Sequence, residues 1–153
     1  RYQELTTKTI PEVALPEDGG KVRVIAGEYA GTKGPADTFT PVNVFDVRLR
    51  AGRKLTLDLR DGYSAAFYIL GGSVRLNGAE DAAQTELVVF ERSGAEVTIE
   101  ALSDATVFVM SGEPLEEPVY GYGPFVMNTP KEIEQAFVDF RLGRFGTVPE
   151  ETA

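Results

Sequence analysis

The chain has 153 residues, a formal charge of -9 from 15 Lys and Arg against 24 Asp and Glu, 42% hydrophobic residues, no cysteine and no histidine. That length suits one compact domain burying roughly two-thirds of its unfolded surface, and the acid excess with scattered basic residues argues against direct nucleic-acid binding. Zero cysteine excludes disulfides, thiolate metal sites and cysteine nucleophiles, and zero histidine, where about three are expected, removes the commonest metal ligand and general base.

No apolar run approaches the roughly twenty residues that cross a bilayer, and the first residues do not read as a leader peptide. The expectation is a soluble protein, with the cytoplasm as its default place and no membrane partner. The first residue is Arg1 rather than Met, which reads as a fragment or processed product.

Residues 1–20 are polar and punctuated by Pro11, Pro16 and Gly19-Gly20. They read as a lead-in or linker with one extended stretch over 10–15. Residues 21–26 alternate, with Val22 and Val24 opposite Lys21 and Arg23, so a half-buried strand is expected there. A Gly/Pro/Thr-rich loop follows over 27–41. Residues 44–50 put Phe45, Val47 and Leu49 on one face, and 54–60 repeat this with Leu55, Leu57 and Leu59; each predicts a strand with one buried face.

Residues 65–70 are apolar throughout and predict a central strand covered on both sides, ending at Gly71-Gly72. Further short strands are expected over 73–76, before the Asn77-Gly78 turn signal, and over 86–91, 95–101 and 105–110. About eight evenly spaced short strands point to an all-β, closed antiparallel barrel or jelly roll over 21–112.

Residues 113–146 change character. Thr129, Pro130 and Glu132 form a Thr-x-x-Glu capping box. Ile133, Ala136, Phe137 and Phe140 then fall at i, i+3, i+4 and i+7, and Gly143 stands where a helix stops, which predicts one C-terminal amphipathic helix. The tail 147–153 is expected to fray.

The chemistry-bearing patterns favour plain structural readings. Asp58, Asp61, Glu80 and Asp81 near predicted strand ends lack the dense oxygen-ligand loop that a hard cation needs. The segment Gly27 to Gly34 with Lys33 misses the phosphate-loop spacing and lies between strands. Ser64, Ser73 and Ser93 sit at turns and edges with no histidine to activate them. Independent catalysis by this chain is not expected.

Several stretches together resemble the C-terminal cupin domain of pirin-family proteins. They are Val24-Ile25-Ala26-Gly27 with Gly31, Gly34-Pro35 and Thr40-Pro41, then Tyr68-Ile69-Leu70-Gly71-Gly72, which is similar to a cupin strand and turn. The closing stretch is more specific: Gly112-Glu113-Pro114-Leu115, Tyr122-Gly123-Pro124-Phe125-Val126-Met127-Asn128-Thr129, Glu132-Ile133 and Gly143-Arg144-Phe145-Gly146.

The resemblance implies a cupin-type barrel, a double-stranded β-helix, standing as the second barrel of a bicupin. Family members hold a transition metal such as iron in the first barrel through histidines and a glutamate. Some act as quercetin 2,3-dioxygenases and others as partners of transcription factors. Carried over residue by residue, the cupin ligand positions fall at Leu59 and Asp61 for two histidines, Ala65 for the glutamate and Val97 for the last histidine. None keeps its ligand, so neither metal nor cofactor is expected in this chain.

The implied role is a metal-free, non-catalytic scaffold or partner-binding half. Two alternatives remain: a passive half of a quercetin 2,3-dioxygenase-like parent, and a small-ligand binder in the apolar barrel interior. Tyr120, Tyr122, Phe125, Phe137 and Phe140 are either core between helix and barrel or the surface that docks an N-terminal cupin barrel or another protein, with self-association when uncovered.

Overall fold

The computed structural model describes residues 3–146. Its contacts divide the chain into two compact units, Arg1–Pro114 and Leu115–Ala153, and each is considered by itself.

The first unit is built from strands that bury every second side chain. Its strands are β1 (Glu12–Ala14), β2 (Gly20–Ala26), β3 (Glu28–Tyr29), β4 (Thr32–Lys33), β5 (Val42–Leu49), β6 (Lys54–Asp58), β7 (Ser64–Gly71), β8 (Ser73–Leu76), β9 (Glu80–Ala83), β10 (Leu87–Val89), β11 (Glu96–Ala101) and β12 (Ala105–Gly112). A six-stranded sheet runs β1-β2-β5-β12-β7-β10 and faces a four-stranded sheet, β6-β11-β8-β9. All pairings are antiparallel. The inward rows Val22/Val24, Val107/Val109 and Phe67/Ile69 from one sheet meet Leu57, Ile99, Val74 and Leu76 from the other in one apolar core. Phe67 is fully buried and meets Phe90 edge-on at 4.7 Å. This is the antiparallel barrel or jelly-roll arrangement that the alternating pattern foretold.

Several details differ from the sequence reading or sharpen it, among them the unforeseen β9. Residues 65–70 are not covered on both sides: Ala65, Phe67 and Ile69 are buried, whereas Leu70 is exposed. An unbroken apolar run therefore marks an outer face of unusual composition, not a strand inside two layers. Part of the predicted lead-in is an edge strand, since β1 pairs with β2 through Val13 and Val22. Two short strands, β3 and β4, interrupt the predicted loop over 27–41, held by the Glu28/Lys33 and Tyr29/Thr32 pairings.

Turn chemistry sets the register. Asn77 and Gly78 both have positive φ, 51° and 69°, the requirement of the tight hairpin turn that joins β8 to β9. The Asn77 side chain adds a hydrogen bond, its Oδ1 accepting from the Thr98 backbone at 3.0 Å. Gly72 has φ 74°, and a Cβ there would lie 2.1 Å from the Asp104 carbonyl oxygen, so backbone approach demands glycine.

The second unit contains a hairpin, β13 (Tyr120–Tyr122) and β14 (Phe125–Met127), and the helix α1 (Pro130–Arg141). Thr129 caps the helix: the Glu132 amide donates to Thr129 Oγ1 at 3.3 Å, and that hydroxyl donates to Glu132 Oε2 at 2.8 Å, a side-chain bond in place of the reciprocal backbone arm of the predicted capping box. Gly143 follows with φ 68°, its amide donating to the Phe140 carbonyl as the helix closes. The expected fraying of 147–153 falls outside the described residues.

Candidate functional site

Strand alternation decides where the four positions that the family resemblance implies for ligands stand. Leu59 follows β6, with its amide donating to the Ala95 carbonyl at 2.6 Å; Ala65 lies on β7, and Val97 lies on β11 opposite Leu57. All three are buried. They line one pocket of about 260 Å³ with Tyr63 and Phe90 on its walls and Glu91, Glu96 and Arg60 toward the outside. The Arg60 guanidinium lies over the Tyr63 ring at 5.8 Å and donates to its hydroxyl at 3.3 Å.

Asp61 does not join them. It is exposed, and its Oδ1 accepts a hydrogen bond from the Gly94 amide at 2.8 Å. The structure thus gathers three of the four positions and turns the fourth outward.

A transition metal needs lone pairs converging at one point, and here the converging groups are the hydrocarbon side chains of Leu59, Ala65 and Val97. Among the described residues, no three His, Cys, Asp or Glu side chains cluster so as to hold a metal ion. The residues at the pocket do not fit the family's metal. The other carboxylates weighed from the sequence are dispersed, and Asp81 is committed to Arg75 through contacts of 2.6 and 2.9 Å. Hydrogen bonding to Arg75 holds the Asp81 carboxyl below its usual range.

The main ionic feature of the barrel lies elsewhere, on the outward face of the six-stranded sheet. Asp46, only 8% exposed, accepts from Arg23 Nη1 at 2.9 Å and from Arg48 Nε and Nη2 at 3.2 and 3.1 Å. Burial alone would raise the Asp46 carboxyl, but the hydrogen bonds from Arg48 and Arg23, with their charges, outweigh it and hold the carboxyl below its ordinary value. Sequence alternation marks these side chains as outward, but only the Arg23/Asp46 register brings them together.

The predicted aromatic cluster forms within the second unit, with one exchange. Phe125 packs on Phe137 at 5.0 Å and Phe140 at 6.4 Å, and Tyr122 meets Phe137 at 5.8 Å. Phe145, not foreseen from the sequence, joins at 5.8 Å from Phe125. Tyr120 makes no ring contact among the described residues and pairs across the hairpin with Met127. Tyr122 and Phe140 stay open to solvent, 66% and 64% exposed, whereas Phe125 and Phe137 are partly buried. Of the helix stripe, only Ile133 and Ala136 are buried.

This architecture defines a cupin-type barrel. The family model of the pirin C-terminal cupin domain matches residues 44–146, and the chain belongs to that family. It is 45% identical over 95% of its length to a Pseudomonas aeruginosa protein bearing a provisional quercetin 2,3-dioxygenase name, covering 50% of that protein. It is 36% identical over 95% of its length to human pirin, of which it covers 51%. A crystal structure of quercetin 2,3-dioxygenase from Acinetobacter baumannii superposes with a TM-score of 0.89 at 43% identity, over 97% of this chain and 52% of that one. The chain therefore spans about half the length of these relatives. No helix among the described residues is long and apolar enough to cross a membrane.

Proposed function

We propose that this chain is a metal-free, non-catalytic cupin barrel serving as the scaffold or partner-binding half of a pirin-family protein. The observation that carries this reading is the pocket lined by Leu59, Ala65 and Val97, the residues that the family resemblance sets at ligand positions, because imidazole and carboxylate donors cannot be replaced by aliphatic carbon. Its partner is the N-terminal cupin barrel of a longer family chain, or another protein, docked on the exposed rings of Tyr122 and Phe140 and the partly buried rings of Phe125 and Phe137 between them. Aromatic side chains left in solvent on so small a unit are the composition of an interface core.

The test is to incubate the purified chain with iron, nickel and copper salts, desalt it, and measure bound metal together with quercetin consumption. The expected result is no stoichiometric metal and no turnover. One tightly held redox-active ion per chain overturns the reading.

The likeness to the Acinetobacter quercetin 2,3-dioxygenase favours a second reading, in which the longer protein oxidises flavonols and this barrel is its passive half. Placing this chain in the Acinetobacter enzyme, in exchange for the half that it matches, separates the two. Retained quercetin turnover supports the passive-half reading, and loss of turnover in a folded chimera counts against it.

A further inference from the structure

The core of the barrel opens at one end. Leu57, Phe67 and Ile99 are sealed at 1%, 0% and 0% exposure, whereas Leu59, Ala65 and Val97, each two residues away along the chain, are 4%, 8% and 6% exposed. These three give the pocket of about 260 Å³ its apolar floor, and the rings of Tyr63 and Phe90 line it above them.

The frame around that space is fixed in advance. Phe90 meets the buried Phe67 edge-on at 4.7 Å, and its amide donates to the Ala65 carbonyl at 3.0 Å. The two rim loops are joined by the amides of Gly94, Gly62 and Leu59, which donate to Asp61, Arg92 and Ala95 at 2.8, 2.8 and 2.6 Å. A space that is apolar within, and held open by bonds that an occupant need not break, has the character of a small-molecule site. Water gains little on that floor, because a buried water wants about three polar partners and the floor offers carbon.

The rim decides which molecule fits. Arg60, Glu91 and Glu96 line the pocket together, yet neither carboxylate has a hydrogen-bond or ion-pair partner among the described residues. Arg60 turns instead to Tyr63, its guanidinium 5.8 Å from the ring centre and its Nη1 donating to the hydroxyl at 3.3 Å. The chain thus sets one cation on an aromatic face at the mouth and leaves two carboxylates beside it uncompensated. An incoming ammonium group meets carboxylate oxygens and aromatic rings together, the contacts that recognise organic cations. An anion meets one arginine already engaged and two carboxylates that repel it.

The geometry points to this pocket as a binding site for a small primary amine with a one-ring apolar body, the ring against Leu59, Ala65 and Val97 and the ammonium group at Glu91 and Glu96. The space lies below the roughly 300–1,000 Å³ of drug-sized sites, which limits the body to about one ring. This rests on the metal-free reading above, since a metal ion would take the same space, and goes beyond it by giving the pocket an occupant.

Phenethylamine is the probe, with hydrocinnamate as an anion of similar shape and phenethyl alcohol as the neutral counterpart. Titrated into the isotope-labelled chain, phenethylamine is expected to shift the amides of Ala65, Phe90, Gly94 and Val97 with a Kd of about 1 mM or below, the range open to so few atoms. Hydrocinnamate should bind about tenfold more weakly. The double variant Glu91→Gln, Glu96→Gln alters two exposed side chains and should weaken phenethylamine about tenfold while leaving phenethyl alcohol unchanged. Arg60→Gln removes the competing cation and should strengthen phenethylamine about threefold. Ala65→Leu fills the floor and should abolish binding of all three; the glutamate pair carries the test where that variant does not fold.

Hydrocinnamate binding as tightly as the amine, an amine affinity unmoved by the glutamate pair or lowered in Arg60→Gln, or no shift at the pocket amides each overturns the inference. Stoichiometric metal in the purified chain overturns the scaffold reading instead, so the two failures are read from separate measurements.

Discussion

Asp61 and Gly94 are tied together at the pocket end of the barrel, the Asp61 carboxylate accepting from the Gly94 amide at 2.8 Å. The residue that the family resemblance sets at a ligand position thus holds a turn. The same two loops are joined by the Gly62 amide donating to the Arg92 carbonyl at 2.8 Å. Replacing Asp61 with Ala should cost about 1 kcal/mol, the usual worth of such a bond, and lower Tm by about 2–4 °C. Differential scanning calorimetry reads the change. Metal content should be the same in both proteins, and a loss of bound metal on Asp61→Ala would contradict the structural role.

The Asp46 cluster makes the fold sensitive to acid. Its carboxyl lies lower in the folded chain than its ordinary value, so the ionised form favours folding. That contribution is complete above the unfolded value of about 3.9 and disappears as the pH falls through the lower folded value. Asp46→Ala strands the half-buried Arg23 and should destabilise the barrel by about 3 kcal/mol at pH 7. The gap between the two proteins should narrow below about pH 4. Urea unfolding at pH 7 and pH 3 measures both, and a gap independent of pH would exclude the carboxylate as its source.

Gly72→Ala should be among the most damaging small substitutions in the barrel. The added carbon would meet the Asp104 oxygen at 2.1 Å, in a left-handed backbone conformation. The strain alone costs about 1–3 kcal/mol, and relieving the overlap requires the turn between β7 and β8 to move. By contrast, Gly78→Ala has open space around the new carbon and carries only the conformational cost. Comparing the soluble yield and Tm of the two variants separates overlap from strain.

Removing the helix cap tests the second unit by itself. Thr129→Ala deletes the cap bond to the Glu132 amide and the hydroxyl's bond to the Glu132 carboxylate and should cost about 1 kcal/mol. Hydrogen exchange should speed up in the first turn of α1, while the amides of β7 and β12 keep their protection. Equal acceleration throughout would show that helix and barrel unfold as one.

Much of this was readable in advance, because backbone rules are local. The alternation at Val22/Val24, Leu55/Leu57 and Val97/Ile99 forced one buried face per strand, and Asn77-Gly78 could turn in few other ways. Thr129, Pro130 and Glu132 marked where the helix begins. The short strands β3, β4, β13 and β14 were not legible as strands, since two or three residues are too few to show a period and only cross-strand pairing stabilises them. The outer surface of β7 was misread for a related reason: an apolar run does not say whether its second face meets protein or solvent.

The amino-acid order alone settled the alternating barrel, the capped helix and the absence of imidazole from every position, because composition and nearest-neighbour geometry need no long-range contacts. Only the tertiary arrangement decided that Leu59, Ala65 and Val97 share one pocket while Asp61 turns away from it. It likewise joined Arg23, Arg48 and Asp46 into one network beside the apolar row of Leu87, Tyr68 and Phe108. The physical reason is register: each of these groupings depends on which residues of distant strands lie opposite one another, and a slip of one residue would have sent every one of them to the other face.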